Sequence, residues 1–411
     1  MLGRQIPIAA SGGGQFGAYL ALPASGSGPG LVVLQGVFGV NQEVRRVCDL
    51  YAEEGYVVLA PDLFWRIEPG INLSHSAIDA PKAMVLEHRF DIEQGVTDIG
   101  DTVRTLRQMR ECDGRIGALG FSLGGRLAYL AAVRCEVNAA VAYYGAGIES
   151  HLNQAASIRC PMVLHFGAAD QFVTEAVRGE IVNALAARAE TEVYVYPAAA
   201  HGFAYPGTEG FSAPAASIAF SRSLGLFRRT IGPHYDLSAL WDAHTDYEFA
   251  TRDPEKTMAT MTSQPYVNHI PTMTGGYGYA ALHRFYREFF IPQMPKDTTA
   301  TVWSRTVGSD RVIDEILFSF THDVAMEWMI PGIPPTGRRI EIPLIAVVQF
   351  RGAKIFNEHI YWDQASLLTQ LGVLEPKGLP IAGVEQARKL TDESLPSNAL
   401  IRAWSAKPTK P

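Results

Sequence analysis

Between residues 15 and 230 the chain alternates short, β-branched apolar runs with longer stretches whose apolar residues recur at spacings of three and four. The runs at residues 16–22, 31–35, 56–60, 115–121, 138–144, 161–167 and 191–197 read as strands. Residues 96–110 and 175–189 read as half-buried helices between them, and residues 23–30 as a turn. Strands that alternate with amphipathic helices predict a parallel sheet covered on both faces.

The pattern changes near residues 230–238, where a Gly-Pro step interrupts a helical run. Beyond it, helical periodicity over about 236–262 and 278–290 precedes four long strand-like runs, at 299–308, 312–322, 339–352 and 353–362. This order predicts an α+β arrangement in which a curved antiparallel sheet wraps over helices. Two domains are therefore expected, at residues 1–230 and 235–411, as 411 residues exceed what one core usually organises. The last seven residues, 405–411, read as a frayed tail.

Composition narrows the function classes. With 47% hydrophobic and 19% charged residues the chain is ordinary globular protein. A net charge of -7 without a basic run argues against nucleic acid or an anionic membrane as partner, leaving small molecules. Cys48, Cys112, Cys135 and Cys160 form no C-x-x-C pair and read as buried thiols. No apolar run is long enough to span a bilayer, and the N-terminus lacks a signal-peptide pattern, so a cytoplasmic enzyme is expected.

Gly120-Phe121-Ser122-Leu123-Gly124 follows one predicted strand and opens a helix, the setting of a nucleophile elbow. Asp170 comes directly after the strand at 161–167, and His201 directly after the strand at 191–197. Ser, Asp and His thus occur in the order of an α/β-hydrolase, at one edge of one sheet. A serine hydroxyl needs a base, and imidazole acts near neutral pH. Asp170 would orient His201 and stabilise the imidazolium. His75, His88, His151 and His165 have no matching position, and His165, inside a strand, reads as a packed core residue.

With these motifs, and with the stretches at 32–66, 115–132, 139–149, 163–173 and 196–204, the first domain resembles the dienelactone hydrolase (carboxymethylenebutenolidase) family. The resemblance implies an α/β-hydrolase fold without a large lid, cleavage of ester or lactone bonds, and an oxyanion hole from the amides of Val37 and Leu123. Three positions depart from the family's best-known members. Ser122 replaces a cysteine nucleophile, Gly36 replaces a glutamate that helps to activate it, and Tyr205 replaces an arginine that binds the substrate carboxylate. A phenol cannot clamp a carboxylate in bidentate fashion, so a neutral or aromatic ester is expected. Phe38, Trp65, Phe121, Tyr144, Phe203 and Tyr205 are candidates for an apolar substrate pocket, and Arg66 and Arg89 for an anionic group.

Residues 235–375 resemble the SnoaL-like group of the nuclear transport factor 2-like cone fold, through the stretches at 266–276, 320–343 and 358–374. Such cones enclose a pocket, for which His269, His322, Asp323, His359 and Asp363 are candidates, Asp363 also reading as a helix N-cap. The resemblance also implies sheet pairing, hence a homodimer through this domain. The expected activity is a serine hydrolase that uses no metal and no organic cofactor. Two alternatives stand beside it: a bifunctional protein whose cone domain isomerises or cyclises the substrate, and a non-catalytic assembly module.

Overall fold

The computed structural model describes residues 3–404, so the expected frayed tail at 405–411 lies outside the described residues. The chain divides into two compact units between His234 and Tyr235.

The first unit is built on eight strands: β1 (Arg4–Ala9), β2 (Gln15–Ala21), β3 (Gly28–Leu34), β4 (Val57–Pro61), β5 (Cys112–Phe121), β6 (Ala139–Tyr143), β7 (Met162–Gly167) and β8 (Thr191–Tyr196). Their order in the sheet is β1-β2-β4-β3-β5-β6-β7-β8. The pairs β1/β2 and β2/β4 are antiparallel, and every pair from β4 to β8 is parallel. β3 shows why the sheet must be covered on both faces. Leu31, Val32, Val33 and Leu34 are all fully buried, Val32 and Leu34 packing into one hydrophobic cluster and Leu31 and Val33 into another. Each such side chain contributes about 1.5–3 kcal/mol when removed from water. All seven runs read as strands form strands. β1 lay hidden because its residues are mostly exposed and carry no clean alternation.

The second unit holds a separate six-stranded sheet of β9 (Met261–His269), β10 (Thr274–Tyr277), β11 (Thr299–Val307), β12 (Arg311–Thr321), β13 (Arg339–Arg351) and β14 (Lys354–Trp362). The order is β10-β9-β14-β13-β12-β11. The sheet is mixed, not purely antiparallel as expected, because β14 pairs parallel with β9. The helical run expected over 236–262 is also broken. A helix Leu237–Thr245 widens into a π-helical turn Asp246–Ala250, a second helix Pro254–Ala259 follows, and β9 begins at Met261. Arg252 adopts φ +55°, and Asp253 caps the new helix by accepting hydrogen bonds from the amides of Glu255 and Lys256. That restart sets the direction of β9. Even-numbered residues of β12 and β13, among them Val312, Ile316, Phe318, Ile342 and Val348, are buried on the inner face of the sheet. Among the described residues no helix is long and apolar enough to cross a membrane.

Candidate active site

Three strands of the first unit deliver one functional side chain each at their carboxyl ends: Ser122 follows β5, Asp170 follows β7, and His201 follows β8. Ser122 has φ +56° and ψ −115°, a conformation costing about 1–3 kcal/mol that survives only where surroundings enforce it. The glycines around it are what permit that enforcement. A Cβ on Gly120 would lie 1.9 Å from the Gly124 carbonyl oxygen, and one on Gly124 would lie 2.2 Å from that of Leu34. The helix after the elbow can therefore press directly against β3 and β5.

The Ser122 hydroxyl donates to Nε2 of His201 at 2.9 Å, and Nδ1–H of His201 donates to Oδ2 of Asp170 at 2.8 Å. The other carboxylate oxygen accepts from the amides of Phe172 at 2.8 Å and Val173 at 3.1 Å. Burial alone would raise the Asp170 pKa, but the hydrogen bond and charge of His201 together with the two amides outweigh it and hold the carboxyl below the usual range. The anion is thus fixed in place, with a proton donor on each oxygen. Phe172 and Tyr144 meet the imidazole edge-on, each with ring centroids 4.8 Å away, which restricts its rotation.

The amide of Leu123 opens the helix after the elbow, and that of Val37 lies in the loop after β3. Among the described residues neither amide has a hydrogen-bond acceptor. Five of the six aromatic candidates form one chain of ring contacts leading to the imidazole. Phe38 packs on His75 (4.2 Å), His75 on Tyr205 (5.9 Å), Tyr205 on Phe121 (4.4 Å) and Phe121 on Tyr144 (6.2 Å), while Phe203 supports Tyr144 from below (5.3 Å). Trp65 stands outside this group. Its ring stacks on Phe16, and its indole N–H donates to Asp98 at 2.8 Å. Arg66 pairs with the same buried Asp98 at 2.8 Å and lines a separate cleft with Arg89.

His75 was not legible as part of the site, since it sits in a loop with no motif around it. Its Nε2 and the Tyr205 hydroxyl are buried without a hydrogen-bond partner among the described residues. His165 is a core residue as expected. Ser223 spends its proton on the Ala219 carbonyl, so Nε2–H of His165 donates to Ser223 (2.9 Å), and Nδ1 accepts from Tyr196 (2.9 Å).

In the second unit only His269, among the five candidates, reaches the internal cavity of about 320 Å³. His269 is caged by Phe285, Phe290, Trp328 and Trp362, and its burial pushes its pKa down to about 3. His322 is bonded to Thr336, Asp323 is exposed, and His359 packs on Tyr266. Asp363 caps the helix Gln364–Gln370 by accepting from the amides of Ala365 and Ser366.

Residues 16–231 match the Dienelactone hydrolase family, and residues 241–358 match the SnoaL-like domain. The chain belongs to the dienelactone hydrolase family. It is 38% identical over 230 residues to a carboxymethylenebutenolidase of a Pseudomonas species, covering 56% of this chain and 96% of that one. The carboxymethylenebutenolidase of Pseudomonas putida is 35% identical over 225 residues, covering 54% of this chain and 95% of that one. Among solved structures, a dienelactone hydrolase-like promiscuous phosphotriesterase from metagenomic libraries is 20% identical with a TM-score of 0.49, covering 56% of this chain and 100% of that one. The protein is an ester or lactone hydrolase of α/β-hydrolase fold, carrying a SnoaL-like α+β unit after it. These matches favour neither the bifunctional alternative nor the assembly module.

Proposed function

We propose that Ser122, His201 and Asp170 act as nucleophile, base and orienting acid in the hydrolysis of neutral carboxylic esters or lactones. The reading rests on the unbroken hydrogen-bonded line from Asp170 through His201 to Ser122. As the Ser122 oxygen attacks the carbonyl, its proton passes to Nε2 of His201, and Asp170 stabilises the imidazolium. The amides of Val37 and Leu123 receive the oxyanion, with the helix N-terminus behind Leu123 adding its dipole. His201 then protonates the leaving alkoxide. Water, activated by the same imidazole, releases the acid from the acyl-enzyme and restores Ser122.

The substrate class is read from the aromatic residues packed around the triad. Phe38, Phe121, Tyr144, Phe203 and Tyr205 give an apolar, aromatic surround, and the buried Tyr205 phenol offers no charge for a carboxylate. Trp65, held by Asp98, is a less direct participant in this reading. Turnover of p-nitrophenyl acetate and butyrate, with Ser122→Ala and His201→Ala beside the parent, tests the assignment. Losses on the order of 10⁴-fold or more are expected, and unchanged turnover in both variants would exclude these residues.

Homodimerisation through the second unit and a cytoplasmic location complete the reading. Ile313 and Tyr361, on the outward side of the six-stranded sheet, are exposed apolar groups suited to pairing. All four cysteines are free thiols, which accords with a reducing compartment. Light scattering on the full chain tests the dimer, and a strictly monomeric mass at micromolar concentration would exclude it.

A further inference from the structure

The inner face of β14 carries Glu358 among Ile355, Ile360 and Trp362, an acid whose buried neighbours along the strand are apolar. His244 and Glu248, one helical turn apart, bring their side chains to the same point. Nε2 of His244 lies 3.1 Å from Oε1 of Glu248 and 3.3 Å from Oε1 of Glu358. All three residues are buried, and Glu248 and Glu358 also line the cavity. None belongs to the hydrolase site.

A proton on Nδ1 of His244 is fixed from its far side. Thr260 spends its hydroxyl proton on the Thr257 carbonyl at 2.7 Å, so its oxygen accepts from Nδ1–H of His244 at 2.5 Å. A neutral imidazole held this way points the lone pair of Nε2 at two carboxylates. Only a proton or a cation at that point makes the contact attractive. One proton on Nε2 leaves two carboxylates against one imidazolium, an excess negative charge at buried side chains that, without a metal, needs a second proton on Glu358, whose burial favours its neutral form. It also leaves Oε1 of Glu358, buried and without a hydrogen bond, unsatisfied. A divalent ion balances two carboxylates and neutral imidazole in full, and gives Oε1 of Glu358 a partner.

The spacing fits as well. Donors bound at about 2.0–2.2 Å stand about 2.8–3.6 Å apart for angles between 90° and tetrahedral. The two measured separations lie within that range, and all three donor atoms lie within 4.8 Å of one another. Thr260 supplies the outer contact that metal-bound histidines characteristically make. Glu248 stands on one π-helical turn, and Tyr286, whose buried hydroxyl faces the same carboxylates, on another, Tyr286–Phe290. Such turns cluster at functional positions.

We propose that Nε2 of His244 and the carboxylates of Glu248 and Glu358 form a binding site for one divalent first-row transition ion in the second unit. Nitrogen with carboxylate oxygen suits manganese, iron, cobalt or zinc, and three protein donors leave coordination positions open. Those positions face the cavity lined by Trp241, Phe249, Phe290 and Trp328, so the ion would take an oxygen donor from a small aromatic molecule.

The test is a cobalt(II) titration of the full chain after chelator dialysis. The expected result is one equivalent per chain, a visible ligand-field band and a hyperfine-shifted His244 N–H resonance. Ser122→Ala should retain all three. His244→Gln and Glu358→Gln should abolish the band, and Thr260→Val should weaken binding by about 10- to 100-fold. If a variant fails to fold, the His244 resonance of the parent decides alone. A parent protein that stays folded yet takes up no cobalt, or whose His244 shows the ¹⁵N shifts of a doubly protonated ring in cobalt's presence, overturns the proposal. So does a band that persists in both ligand variants.

Discussion

The hydroxyl of Ser122 lies 2.9 Å from Nε2 of His201 although 79 residues separate them, and the parallel sheet is what closes that distance. Both residues leave the carboxyl end of a strand, so the spacing is set by the order β5-β6-β7-β8 and not by a flexible loop alone. Chemistry placed on such a rigid frame depends on each orienting contact.

Asp170→Asn should lower kcat by about 10³- to 10⁴-fold with little change in KM. The amide that replaces Oδ2 can turn a donor toward Nδ1 and favour the wrong imidazole tautomer. Steady-state kinetics on a p-nitrophenyl ester reads this directly, and a KM effect without a kcat effect would contradict it.

Gly124→Ala should destabilise the first unit by about 3 kcal/mol or more, because the new methyl would meet the Leu34 carbonyl at 2.2 Å and backbone must move. Urea unfolding measures it. A loss below about 1 kcal/mol would show that the elbow packs less tightly against β3 than described.

His165 gives stability a pH dependence. Burial, reinforced by the charge of Arg222, pushes its pKa down to about 3 from the ordinary 6.5. Below pH 6.5 the unfolded chain takes up a proton that the folded chain refuses, so stability falls as the pH drops toward 3, by at most about 1.4 kcal/mol per unit. Above 6.5 both states hold neutral imidazole and the slope vanishes. Urea melts of the parent and His165→Gln between pH 4 and 7 should show a shallower slope in the variant; equal slopes would contradict the assignment.

Much of this was legible in the chain itself, for physical reasons. Strands buried on both faces must be apolar throughout, which makes β3, β4 and β6 visible, and a tight elbow must carry glycine, which marks Ser122. Chain order then selects Asp170 and His201. Elements with weaker demands escaped. β1 is an edge strand exposed along most of its length, and the helix expected to run to 262 breaks at Arg252 because a new N-cap at Asp253 restarts it. The His244, Glu248 and Glu358 cluster escaped because it needs the register of β14 and the inward phase of a helix ending in a π turn. Neither is written in residue spacing. His75 reached the aromatic chain through a loop, where no periodicity applies.

The most direct measurement of the central claim is covalent capture. Treating the protein with an aryl phosphonate ester and mapping the adduct by mass spectrometry should give a single modification on Ser122, slowed at least about 10³-fold in His201→Ala. An adduct elsewhere, or labelling of Ser122 at an equal rate without His201, would contradict the account.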